Sequence, residues 1–101
     1  MTLMKSAKFT EEDLAAYQTY IEKDYVAIGG TPGNIIVMFE AGQKYIKVIS
    51  RCSPSGRSAH SFIDADGNIW KAASWKAPAK NFTRGNIITR DFDRISWTGA
   101  N

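Results

Sequence analysis

The chain has 101 residues, of which 44% are apolar and 23% charged. That is ordinary globular usage and enough for one compact core without disulfides, which excludes a disordered tail, a collagen-like chain or two full-sized domains. The net charge of +3 is unevenly spread: residues 1–40 hold three Lys and six Asp/Glu, whereas residues 41–101 hold ten Lys/Arg and four Asp. A basic half beside an acidic half points to an anionic partner or to self-association.

The first eight residues carry two lysines and no apolar core, so they do not read as a secretory signal. No apolar run approaches the roughly 18 residues of a membrane span. One Cys, Cys52, and one His, His60, exclude an intrachain disulfide and the usual zinc sets. These features together imply a cytoplasmic location, with no membrane partner.

Thr10 is a good N-cap with Asp13 three residues on, and Phe9 and Leu14 have the spacing of a hydrophobic staple. Leu14, Tyr17, Ile21 and Tyr25 follow at helical spacing, and Gly29, Gly30, Pro32 and Gly33 end the pattern. The helix is therefore expected at about residues 11–24. Ile35 to Phe39 is a β-favouring run, Ala41-Gly42-Gln43 a turn, and Tyr45 to Arg51 alternates with Lys47 and Arg51 opposite Ile46 and Val48. Cys52 to Gly56 reads as a loop and Arg57 to Ile63 as a third strand. Asp64 to Asn68 is the strongest hairpin signal. Ile69 to Trp75 reads as a fourth strand, Lys76 to Gly85 as a basic loop and Ile87 to Phe92 as a fifth strand. Ile95 to Trp97 either extends the fifth strand or docks separately. The expected fold is mostly β, a single domain over residues 1–101: one N-terminal helix and a five-stranded antiparallel small barrel spanning about residues 34–97.

No motif points to catalysis. The Asp64 loop lacks the glycine and glutamate positions of a calcium-binding EF-hand. Cys52 and His60 are near enough in sequence to consider as a nucleophile and base, but no third group orients them. Gly30 to Gly33 lacks the lysine of a phosphate loop. A non-enzyme without cofactor or metal is expected. The informative stretch is Trp70 to Asn86, where Lys71, Lys76, Lys80 and Arg84 alternate with Trp70, Trp75 and Phe82. Cations that track phosphates, interleaved with aromatic faces that stack bases, are what single-stranded nucleic acid requires. Lys76, Lys80 and Arg84 are the candidate phosphate contacts and Trp75 the candidate stacking residue.

Arg84-Gly85-Asn86-Ile87-Ile88 resembles the Arg-Gly-Asn-apolar ending of the second motif of Sm-like proteins (the Sm, LSm and Hfq type). The order of elements, a helix and then five strands, is similar too. This resemblance implies an SH3-type barrel and a homo-oligomeric ring, with the fourth strand of one subunit paired to the fifth of the next. It also implies RNA contacts from Arg84 and Asn86. It does not extend to the Asp and Asn of the first Sm motif, for which Cys52 to Gly56 offers neither. The Ala73 to Lys80 segment, followed by Arg-Gly-Asn-Ile, is similar to short proteins of marine bacteriophages. The alternative expectation is a small phage accessory protein that binds a host protein or acts structurally, supported by the acidic helix with Glu11, Glu12, Asp13 and Glu22.

Overall fold

The computed structural model describes residues 6–52 and 56–101. Met1 to Lys5, read above for a signal, and Ser53 to Ser55 of the expected second loop lie outside the described residues.

Helix α1 spans Glu11–Ala27. Its start follows from a complete capping box: the Thr10 hydroxyl accepts from the Asp13 amide at 3.3 Å, and the Asp13 carboxylate accepts from the Thr10 amide at 2.9 Å. Phe9 and Leu14 close the staple, both buried in the core. The helix runs one turn further than the sequence suggested, to a two-bond glycine cap. The Gly30 amide donates to Tyr25 O and the Gly29 amide to Val26 O. Gly29 supplies the left-handed φ of +100° that such a cap demands and that a β-carbon would oppose.

The strands are β1 (Ile35–Ala41), β2 (Tyr45–Cys52), β3 (Arg57–Asp64), β4 (Asn68–Lys71) and β5 (Gly85–Asn86). They form one antiparallel sheet in sequential order. Two short strands, β6 (Ile95–Ser96) and β7 (Gly99–Ala100), make a separate hairpin, so the segment from Ile95 docks on its own. The expected barrel is not closed: β1 and β5 are the two ends of the sheet order and do not pair. The core is instead a sandwich. Ile35, Val37, Ile46, Val48, Ile63 and Ile69 from one sheet face meet Leu14, Tyr17 and Ile21 of α1, with Ile87, Phe92 and Ile95 filling in behind.

Two strands are shorter than the sequence suggested, for local reasons. Lys71 still pairs with Ser61 of β3, but Ala72 turns to pair with Pro78, and the Ala73 and Ser74 amides donate to Ala77 O. The run to Trp75 is therefore a turn folded back on β4. The Ile87 to Phe92 segment is a turn as well. The Asn86 side-chain oxygen accepts from the Ile88 and Thr89 amides, diverting the chain before an extended strand can form. Asn86 and Asp91 then exchange both backbone hydrogen bonds.

The Asp64 hairpin is as expected. Asp64 accepts from the Asp66 and Asn68 amides and from Trp70 Nε1 at 2.9 Å, and Gly67 takes φ +84°.

Candidate nucleic-acid interface

The sheet face away from the helix carries a row set by register: Glu40 opposes Lys47, Lys47 opposes Phe62, and Phe62 opposes Trp70. Phe62 is nonetheless only 3% exposed and Ile49 2%. The basic loop that follows β4 lies on part of this face. Trp75 in that loop lies against β2 and β3: Lys47 Nζ is 4.2 Å from the ring centroid and Arg57 Cζ 5.5 Å. Further along, Lys80 Nζ stands 5.6 Å from the Tyr45 ring. A cavity of about 190 Å³ opens between the β1–β2 turn and this loop, lined by Lys44, Tyr45, Lys47, Phe62 and Lys76 among others.

The result is one basic and aromatic surface built from three pieces: Lys44, Tyr45 and Lys47 from β2 and its turn, Arg57 from the start of β3, and Trp75, Lys76 and Lys80 from the loop. Sequence reasoning found the loop residues and missed Lys44, Tyr45, Lys47 and Arg57. The alternation of β2 does place Lys47 on the face away from the core. What it lacks is the pairing register that sets Lys47 beneath Trp75. Lys47 also faces Glu40 at 4.0 Å, which offsets part of its charge.

The five residues expected to act together divide into two groups. Trp75, Lys76 and Lys80 are exposed and share the surface just described. Trp75 presents less of its ring than a free stacking platform, because two cations already lie over it. Arg84 and Asn86 sit elsewhere. Arg84 is 5% exposed; its Nη1 donates to Asn81 Oδ1 at 2.7 Å and to Phe82 O at 2.6 Å, and its guanidinium lies 3.9 Å from the Phe82 ring centroid. Asn86 turns its side chain into the fold, accepting from Ile88 and Thr89 and donating to Asp66 O and Asn68 Oδ1.

The chain belongs to a family of unknown function, DUF7717. The family's sequence model matches residues 4–100, so it takes in the helix, both sheets and the basic loop together. No curated protein and no solved structure matches the chain.

His60 does not meet Cys52. Its Nε2 donates to Ser96 O at 2.7 Å and its Nδ1 lies 2.9 Å from Ser61 Oγ. Burial pushes its pKa down to about 4, against a small opposing effect of the Ser96 carbonyl. A serine beside a neutral imidazole has the elements of an activated nucleophile, but Ser61 has no exposed surface and His60 only 2%, so no substrate reaches either. Among the described residues no group of three His, Cys, Asp or Glu could hold a metal ion, and no helix is long and apolar enough to cross a membrane.

Proposed function

We propose that this protein binds single-stranded nucleic acid, RNA in the first instance, without catalysis, through the face where the basic loop lies on β2 and β3. The observation that carries this reading is the gathering of Lys44, Lys47, Arg57, Lys76 and Lys80 around Trp75 and Tyr45. Cations at this spacing follow a phosphate backbone while the aromatic edges contact bases. The acidic residues of α1 belong to the element packed on the opposite sheet face, so they do not repel a strand laid on the loop side. In this reading Arg84 and Asn86 hold the loop's far end in place and lie off the loop face.

The Sm-like expectation of self-association belongs to the same reading in an altered form. The pairing it anticipates between subunits, fourth strand with fifth, is made within the chain at Asn68–Asn86 and Ile69–Gly85. Among the described residues β1 presents the longest unpaired strand edge, and such an edge invites a second chain. A homo-oligomer joined at β1 would place two loop faces on one assembly. A second reading, a protein-binding accessory module, draws on the exposed Val26, Ile28 and Ile36 at that same end of the molecule.

The test is fluorescence anisotropy with a labelled oligouridine across a range of salt. The Lys76→Ala/Lys80→Ala variant should bind more weakly, with a salt slope shallower by about 0.7 for each phosphate that is no longer neutralised. Unchanged affinity and slope in that variant would reject the interface.

A further inference from the structure

Arg84 is buried without a direct ion pair: among the described residues no carboxylate lies within 4.0 Å of its guanidinium. Its Nη1 is satisfied only by neutral oxygens, and its Nε is buried without a hydrogen-bond partner. A guanidinium cannot escape such a position by losing its proton, and a buried cation without a counter-charge is costly. Asn81 and the Phe82 ring and carbonyl hold it there.

Beside it is a cavity of about 350 Å³, lined by Asn68, Thr83, Arg84, Asn86, Asp93 and Arg94 with the backbone around them. Arg94 brings a second guanidinium. It approaches the same Phe82 ring, at 5.6 Å from the centroid, and its backbone is tied down where the Asn101 amide donates to Arg94 O at 2.9 Å. Thr83 adds a hydroxyl at the rim. Asn86 Nδ2 is spent on Asp66 O and Asn68 Oδ1, and Asn68 Nδ2 donates to Asp64, so these two side chains mainly shape the wall.

We propose that this cavity is a site for a phosphoryl group, with Arg84 as the buried cation and Arg94 as the accessible one. Two guanidinium forks around one cavity suit a tetrahedral dianion, which can accept from both. Asp91 and Asp93 also line the cavity and are exposed. Their charges oppose an anion and weaken the site without filling it. The site stands apart from the loop face, so a protein that bound no oligonucleotide could still hold phosphate here.

The full chain, labelled with ¹⁵N, is titrated with inorganic phosphate at constant ionic strength while the arginine Nε–H signals are followed. A saturable shift of two of them is expected. Arg94→Gln should weaken binding about tenfold or more, and Asp93→Asn should tighten it, both with unchanged circular dichroism. A parallel arm compares a short 5′-phosphorylated oligonucleotide with its 5′-hydroxyl form. Preference for the phosphorylated end identifies the source as a nucleic-acid terminus, and equal affinity identifies it as free phosphate. No saturable shift in either arm, or phosphate affinity that survives Arg94→Gln intact, overturns the proposal.

Discussion

The Tyr17 hydroxyl lies 2.7 Å from Ser61 Oγ, joining the middle of the helix to the centre of the sheet inside the core. The direction of each bond in this network is forced by its neighbours. Ser96 O can only accept, so His60 Nε2 carries the proton and Nδ1 is left as an acceptor. Ser61 then donates to His60 Nδ1 at 2.9 Å, and Tyr17 donates to Ser61. Three segments of chain, α1, β3 and β6, are thereby fixed in one register by a fully paired buried network. Burial raises the Tyr17 pKa as well, which keeps its hydroxyl a donor throughout the physiological range.

This network makes stability depend on pH with a known sign. The folded state holds His60 at a pKa of about 4, against 6.5 for the free side chain. Between those values the unfolded chain binds the extra proton, so stability is complete above about pH 6.5 and falls as pH is lowered towards 4, by roughly 3 kcal/mol in all. Urea denaturation at steps of pH measures the slope. His60→Gln should flatten it in that window; an unaltered slope in the variant would place the titration elsewhere. Asp13, whose pKa is lowered by the Thr10 amide and then by Arg90, gives its stability up only below about pH 3.8, outside the histidine window.

Removing single atoms from the same network separates its two ends. Tyr17→Phe takes away one donor and leaves Ser61 still bonded to His60, so it should cost about 1–2 kcal/mol. Ser61→Ala takes the short partner from both the Tyr17 hydroxyl and His60 Nδ1, leaving only their direct contact, 3.5 Å in the intact protein, and should cost about 1–2 kcal/mol as well. A loss under about 0.5 kcal/mol for both, by chemical denaturation, would mean that water or rearrangement satisfies these groups.

Gly85 is required by closeness and not by its dihedral angles. A β-carbon there would stand 2.2 Å from Asp91 O, the carbonyl that accepts from the Asn86 amide at 3.1 Å. Gly85→Ala must push the Asp91 segment away and should cost about 1–3 kcal/mol. Gly56→Ala, where the added methyl meets nothing within 4 Å, is the matched control and should shift stability by less than about 0.5 kcal/mol. Equal stabilities for the two variants would remove the packing explanation.

The elements that the sequence disclosed are those whose signals are local. The Thr10–Asp13 box, the Phe9–Leu14 staple, the glycine stop and the Asp64 hairpin each lie within a few residues, and each is present. The differences arise where tertiary or side-chain bonding overrides an apparent β pattern. Asn86 turns Ile87 to Arg90 away from extension, and Ala72 exchanges β3 for Pro78. The candidate site follows the same rule. Trp75, Lys76 and Lys80 are neighbours in sequence and are legible there, whereas Lys47 and Arg57 reach the site only through strand pairing. Arg84 reads as a surface cation because nothing in its local sequence signals that Asn81 and Phe82 fold over it.

Arg90 ties the helix start to the turn after β5. It adopts a left-handed φ of 62°, a conformation that costs an L residue roughly 1 kcal/mol. Its guanidinium bonds both Ile87 O and the Asp13 carboxylate, so the strained backbone points the side chain at the helix N-terminus. Asp13 thus serves the Thr10 amide and Arg90 at once. Asp13→Ala should cost about 1–2 kcal/mol, most of it from the lost cap. Arg90→Gly should cost less, because relief of the left-handed strain offsets the lost ion pair. With the Arg90 side chain 43% exposed, a double-mutant cycle using Asp13→Ala and Arg90→Ala should give a coupling of about 0.5–1 kcal/mol that shrinks in molar salt. Coupling indistinguishable from zero at low salt would show that the two residues act independently, with the turn held by the Ile87 carbonyl alone.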